Sequence, residues 1–175
     1  MTAKPSYLVT GASRLTVKAR SSLHDTVTIW DKVEGTIEVD PARLEADGAT
    51  ATFRVDMTRF DAGDFIKNRK LKKDFELDAH PTASFELTGL RDVVRDGDRL
   101  RASADGVLRW RGREVKVVVA GSGTLTGDSI DVTGRFDLDI RTLGLKAPRF
   151  LMFKMSDEVT VEVTLVAVGR DSRRP

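Results

Sequence analysis

Alternation of apolar and polar residues recurs along most of this chain, and it narrows the fold more than any other feature. A side-chain period of two marks a strand with one face turned to a core. Tyr7, Val9, Gly11, Ser13, Leu15 and Val17 share one face of a first segment, opposite Thr10, Ala12, Arg14, Thr16 and Lys18. Val33, Gly35, Ile37 and Val39 form a second, ended by Asp40-Pro41; Ala51, Phe53, Val55 and Met57 form a third. The pattern returns at Ala83 to Leu87, Val115 to Val119, Ile130 to Ile140 and Val159 to Ala167. A less regular strand is expected around Arg99–Trp110. Asp96-Gly97, Arg111-Gly112-Arg113 and Gly127-Asp128 are turn signals between neighbours. Together these make roughly eight strands, mostly joined by hairpins.

Each such strand must hide one face, either in a two-sheet sandwich or in one sheet closed on itself. Long strands joined by hairpins favour up-and-down closure, which leaves no open edge. The expectation is an all-β fold with one short helix: an antiparallel eight-stranded barrel with an apolar interior. A barrel of this size is either filled by side chains or holds one small ligand. Gly11, Ser13, Gly35, Ala51, Ala83 and Gly134 have inward parity. Such residues either bend the sheet or leave room inside, and the sequence alone allows both.

Two segments break the alternation. Ala62 to Asp74 reads AGDFIKNRKLKKD, a short helix with Phe65, Ile66 and Leu71 on one side and Lys67, Arg69, Lys70, Lys72 and Lys73 largely solvated. His80-Pro81 stops it. Thr142 to Ser156 holds Leu143, Leu145, Phe150, Leu151, Met152, Phe153 and Met155, too apolar for an ordinary exposed loop. Residues 1–169 read as a single domain. The basic tail 170–175 lacks core residues and is expected to fray.

Charge and composition exclude several functions. The 29 basic and 27 acidic residues are interspersed and leave a net charge of +2. That is a solvated surface, with none of the concentrated basic stripe or interleaved aromatics of a nucleic-acid binder. There is no cysteine, hence no disulfide and no thiolate chemistry. His24 and His80 are the two histidines, and neither they nor Ser22 fall in a catalytic or metal-binding motif. No catalytic residue, metal or cofactor is expected. MTAKPSYLVTGAS has no apolar signal-peptide core. With Met1 as the natural start the expected location is the cytoplasm; with a longer natural chain, the periplasm.

Four stretches, in order, carry a family resemblance. They are Val33-Glu34-Gly35-Thr36-Ile37 with Asp40-Pro41; Asn68 to Glu76 followed by His80-Pro81-Thr82-Ala83-Ser84-Phe85; Gly106-Val107-Leu108-Arg109-Trp110-Arg111-Gly112; and Asp139-Ile140-Arg141-Thr142-Leu143-Gly144-Leu145. From about Tyr7 to Val168 the chain resembles the YceI-like family, the polyisoprenoid-binding proteins with a lipocalin-like barrel. It departs from the family where Ala12-Ser13 replaces a usual His-Ser pair and where His80 replaces a tyrosine. The resemblance implies a barrel that holds an isoprenoid chain, with a polyprenyl compound or quinone as partner, and it leaves room for a homodimer.

On that reading Val9, Phe53, Val55, Phe85, Leu87, Trp110, Phe136 and Leu138 are the candidate apolar lining. Phe150, Met152 and Phe153 are candidates for one mouth, and Arg69 and Arg141 for a charged head group, since guanidinium pairs well with phosphate. The run Lys67 to Lys73 suits transient contact with an anionic membrane. Two alternatives stay open: an enzyme acting on a hydrophobic small molecule inside the barrel, and a structural or interaction barrel with a filled core.

Overall fold

A computed structural model describes residues 4–21, 25–40, 42–44, 48–147, 149–150 and 153–170; for residues 149, 150, 153 and 154 it describes the backbone alone. The strand segments are β1 (Ser6–Val9), β2 (Arg14–Ser21), β3 (Thr26–Trp30), β4 (Val33–Glu38), β5 (Thr50–Asp56), β6 (Phe60–Asp61), β7 (Thr82–Asp96), β8 (Arg99–Trp110), β9 (Arg113–Thr126), β10 (Ser129–Asp139), β11 (Arg149–Phe150) and β12 (Phe153–Gly169). The helix α1 spans Phe65–Asp74, and a 3-10 turn spans Ile140–Leu143.

β1 and β2 run along the same neighbour, β12, and so form one broken stave. β3 pairs with β2 and β4 pairs with β1, making a second broken stave. β5, β7, β8, β9, β10 and β12 follow, each antiparallel to the one before, and the β1–β12 pairing closes the ring. The result is a closed antiparallel eight-stranded barrel. Closure gives every central ladder a partner on both sides.

The break in the first stave differs from the single long strand expected over 7–17. Residues 10–13 leave the ladder, and Ser13 restores it with its side chain. Its hydroxyl accepts from the Val166 N–H at 2.9 Å and lies 3.4 Å from the Val166 carbonyl, to which it donates. The Thr10 N–H donates to that carbonyl at 2.8 Å. Thr26–Trp30 is a strand the alternation did not single out, and β7 runs on well past Leu87 to Asp96. Between β8 and β9 the chain reverses at Arg111 (φ 56°) and Gly112 (φ 72°), and Trp110 pairs with Arg113. Positive φ at both central residues matches the twist of the flanking strands, and glycine takes it without strain.

The two barrel ends are closed differently. One carries the tight turns at 97–98 and 127–128, with Val39, Leu44 and Ala49 buried in one cluster. The other carries the two long connections, 57–81 and 140–157. There Trp30, Met57, Leu71, Leu77, Trp110, Ile140, Leu143 and Leu145 form one buried cluster, with Leu77 at 0% exposure. Both indole N–H groups donate to backbone carbonyls of the 57–81 connection, Trp30 to Met57 at 3.2 Å and Trp110 to His80 at 2.9 Å. Arg111 adds a third tie, donating to the Phe75 carbonyl at 2.8 Å.

α1 is capped by Asp64, whose carboxylate accepts from the Lys67 N–H at 2.8 Å. That fills one of the donors a helix N-terminus leaves free. Its inward anchor is Leu71 alone. Phe65 and Ile66, expected to face the core beside it, are 76% and 73% exposed. The reason is spacing. Leu71 lies five and six residues from them, off the three- and four-residue neighbours that share a helix face.

Candidate functional site

The inward faces of the staves enclose a cavity of about 300 Å³. It reaches from Val39, Leu44 and Ala49 at one end to Phe75, Leu143 and Leu145 at the other. Its size lies at the lower edge of the range usual for ligand pockets, roughly 300–1,000 Å³. Among the described residues its wall holds no Asp, Glu, Lys, Arg, His or Tyr. Ser84 and Ser122 are the only hydroxyl residues there, and Ser122 turns its hydroxyl to Thr133, at 3.0 Å. An uncharged wall favours an uncharged occupant, because a charge taken from water with no partner is costly.

Strand parity explains the wall. On β8 the inward residues are Leu100, Ala102, Ala104, Gly106, Leu108 and Trp110. All but Gly106 line the cavity, and Gly106 lies beneath Phe85. A Cβ at Gly106 would run into the Phe85 ring, and one at Gly35 into the Thr52 carbonyl and the Phe53 ring. The two glycines are thus seats for two aromatic rings. Those rings lie against each other with centroids 6.1 Å apart and planes 23° from parallel. Gly121 and Gly134 face one another directly across the β9–β10 ladder, both on the wall. A Cβ at Gly134 would run into the Val119 side chain, so this glycine too seats a neighbour, whereas one at Gly121 would meet only the Ala102 and Thr133 carbonyls, at 3.6 and 3.9 Å. Inward glycines therefore seat aromatic rings at Gly35 and Gly106 and the Val119 side chain at Gly134.

Of the eight lining candidates, Phe53, Val55, Phe85, Leu87, Trp110, Phe136 and Leu138 stand on the wall. Val9 does not. It is buried in one cluster with Tyr7 and Ala167, which are likewise off the wall. Leu143 and Leu145 close one end of the cavity and were not proposed for the lining. Their signal was the apolar excess of the 142–156 stretch. Phe75, at the C-cap of α1, meets Trp110 edge-on at 6.5 Å and also stands on the wall.

The mouth candidates lie outside the described side chains, and the head-group candidates fall away from the wall. Met152 lies outside the described residues, as do the side chains of Phe150 and Phe153. The backbones of Phe150 and Phe153 pair with each other in an antiparallel register. Arg69 and Arg141 are both exposed and neither reaches the wall. Arg141 is engaged with Asp139 at 2.8 Å and lies 3.9 Å from Asp157. Hydrogen bonds from the Arg141 guanidinium, and then from its backbone N–H, hold the Asp139 carboxyl below the usual carboxylate range. His80 contributes its carbonyl to Trp110 and is not on the wall; His24 lies outside the described residues.

A closed eight-stranded barrel around an uncharged cavity defines a binding architecture. The match of residues 7–167 to the YceI-like domain model places this chain in the YceI-like family. Among solved structures, Burkholderia cenocepacia BcnA is similar with a TM-score of 0.74 at 20% identity, over 91% of this chain and 99% of that one. A polyisoprenoid binding domain from Saccharophagus degradans, implicated in plant cell wall breakdown, has a TM-score of 0.70 at 14% identity, over 95% and 99%. The Campylobacter jejuni YCEI protein has a TM-score of 0.63 at 13% identity, over 82% and 84%. Comparison with curated proteins gives no match.

Proposed function

We propose that this protein binds an isoprenoid-type lipid, a polyprenyl compound or a quinone, inside its barrel and carries or sequesters it. The observation that bears most weight is the cavity wall, apolar from one end of the barrel to the other and without a titratable side chain among the described residues. The likeness to the polyisoprenoid binding domain supports the same ligand class. Each methylene removed from water contributes about 0.8 kcal/mol, so a prenyl chain gains affinity along its length without any ionic contact. The open volume speaks against a filled-core barrel.

Two measurements test this reading. An organic extract of protein purified without detergent, examined by mass spectrometry, is expected to contain an isoprenoid or quinone near one per chain. Ala102→Phe places a ring in the cavity from a wall position. It is expected to lower affinity for a prenyl alcohol at least tenfold while the fold persists. Tight prenyl binding that survives in this variant would count against the barrel interior as the site.

A further inference from the structure

We propose that the outward face of α1 seats the protein on an anionic bilayer, so that the barrel exchanges its ligand there; the exchange rests on the carrier reading, the seating does not. Phe65 and Ile66 are the two most exposed large apolar side chains among the described residues, at 76% and 73%. They adjoin on the first turn of a helix held to the barrel from its other side by Leu71. Arg69 lies four residues after Phe65 and three after Ile66, and Lys73 four after Arg69. These spacings put all four on one helix face.

The charges on this face are unbalanced. Arg69 and Lys73 on this face, and half-buried Lys67 at its flank, four residues before Leu71, make no ion pair among the described residues. The neighbouring acids are already engaged. Asp64 caps the helix, Asp61 accepts from the Gly63 N–H at 2.9 Å, and Asp74 pairs with Lys70 at 2.8 Å. Lys72 pairs with Asp78 at 3.4 Å, and Glu76 lies 3.5 Å from Arg111. What the helix presents outward is two apolar side chains next to Arg69 and Lys73, two cations with no carboxylate partner among the described residues, with Lys67 at the flank and the capping Asp64 at the N-terminal edge. That is the composition that binds the head-group region of an anionic membrane.

Position makes the contact useful. The helix ends at Phe75, which stands on the cavity wall against Trp110. α1 therefore links an exposed apolar turn to the cavity end within ten residues. Seated on a bilayer through Phe65 and Ile66, the molecule turns that end toward the lipid.

Vesicle flotation tests the docking. With vesicles one-third phosphatidylglycerol and two-thirds phosphatidylcholine, the wild-type protein is expected to float at low salt and to be released at 0.5 M salt. Phosphatidylcholine alone should bind at least tenfold more weakly. Each cation near an anionic surface is worth about fivefold in affinity, so Lys67→Gln/Arg69→Gln/Lys73→Gln should lose most of the binding. Phe65→Ser/Ile66→Ser should lose at least tenfold with an unchanged melting temperature, since both side chains are exposed. Equal flotation of this pair variant and wild type, no flotation of either, or self-association through this face in place of vesicle binding would overturn the docking. Uptake of a fluorescent prenyl alcohol from the same vesicles separates the two proposals. The pair variant is expected to reach the same final occupancy at least tenfold more slowly, and an unchanged rate in a variant that no longer floats overturns the exchange at the bilayer. Flotation without any uptake overturns the carrier reading alone.

Discussion

Ser13 sits where the first stave breaks, 1% exposed, and stands in for a backbone that has left the ladder. Ser13→Ala leaves the Val166 N–H without its 2.9 Å acceptor. An unmet buried donor costs about 1–3 kcal/mol. Urea denaturation should show a lower midpoint with an unchanged slope. Gly106 makes the opposite case, where a missing side chain is the function. Gly106→Ala drives a Cβ into the Phe85 ring, and overpacking of this kind costs about 1–3 kcal/mol. The same melt, with prenyl-alcohol affinity measured beside it, should report both a loss of stability and weaker binding. Neither role was visible in the residues themselves. Parity placed Ser13 and Gly35 on the inward side, and only the cross-strand register shows what each one touches. Parity also placed Phe53, Phe85 and Phe136 on the wall, because the side-chain period of a strand is a fixed property of its backbone. It gave no sign that Val9 would be buried off the wall.

Elements with the clearest alternation were the most legible, β5, β9 and β10 above all. The broken staves were harder. A ladder that survives a break through one serine leaves no periodic trace, and the five residues of β3 are too few to stand out. The connection 140–157 was legible only as an apolar excess. In the structure Asp139 caps its 3-10 turn, accepting from the Arg141 N–H at 3.0 Å, and Gly144 ends it at φ 76°. The Asp139 carboxyl titrates below its ordinary value in the folded state, because Arg141 favours the charged form. Its contribution to stability is therefore present above the unfolded pKa, near 4, and is lost as pH falls through the depressed folded value. Asp139→Asn should open a small stability difference from wild type at pH 7 that closes in acid. Thermal melts of both proteins across pH 2 to 7 would show it.

At the scale of the whole molecule, closure was implied by hairpins and long amphipathic strands, and the structure adds the open interior. Alternation tells which face is buried and is silent on whether the buried faces meet. That depends on the summed volumes of residues drawn from every stave, the facing pair Gly121 and Gly134 among them. The stacked rings of Phe53 and Phe85 stand inside this space. Phe85→Ala should enlarge it, at a cost of up to about 3 kcal/mol, and shift preference toward longer prenyl chains in a competition series of alcohols.

The chain has two tryptophans, Trp30 and Trp110, and both stand on the cavity wall. Their N–H groups are held by fixed carbonyls, so their polar surroundings stay constant while the apolar space beside them fills or empties. The protein thus carries a built-in optical reporter with no background from tryptophans elsewhere. A saturated prenyl chain should shift its emission, and a quinone should quench it.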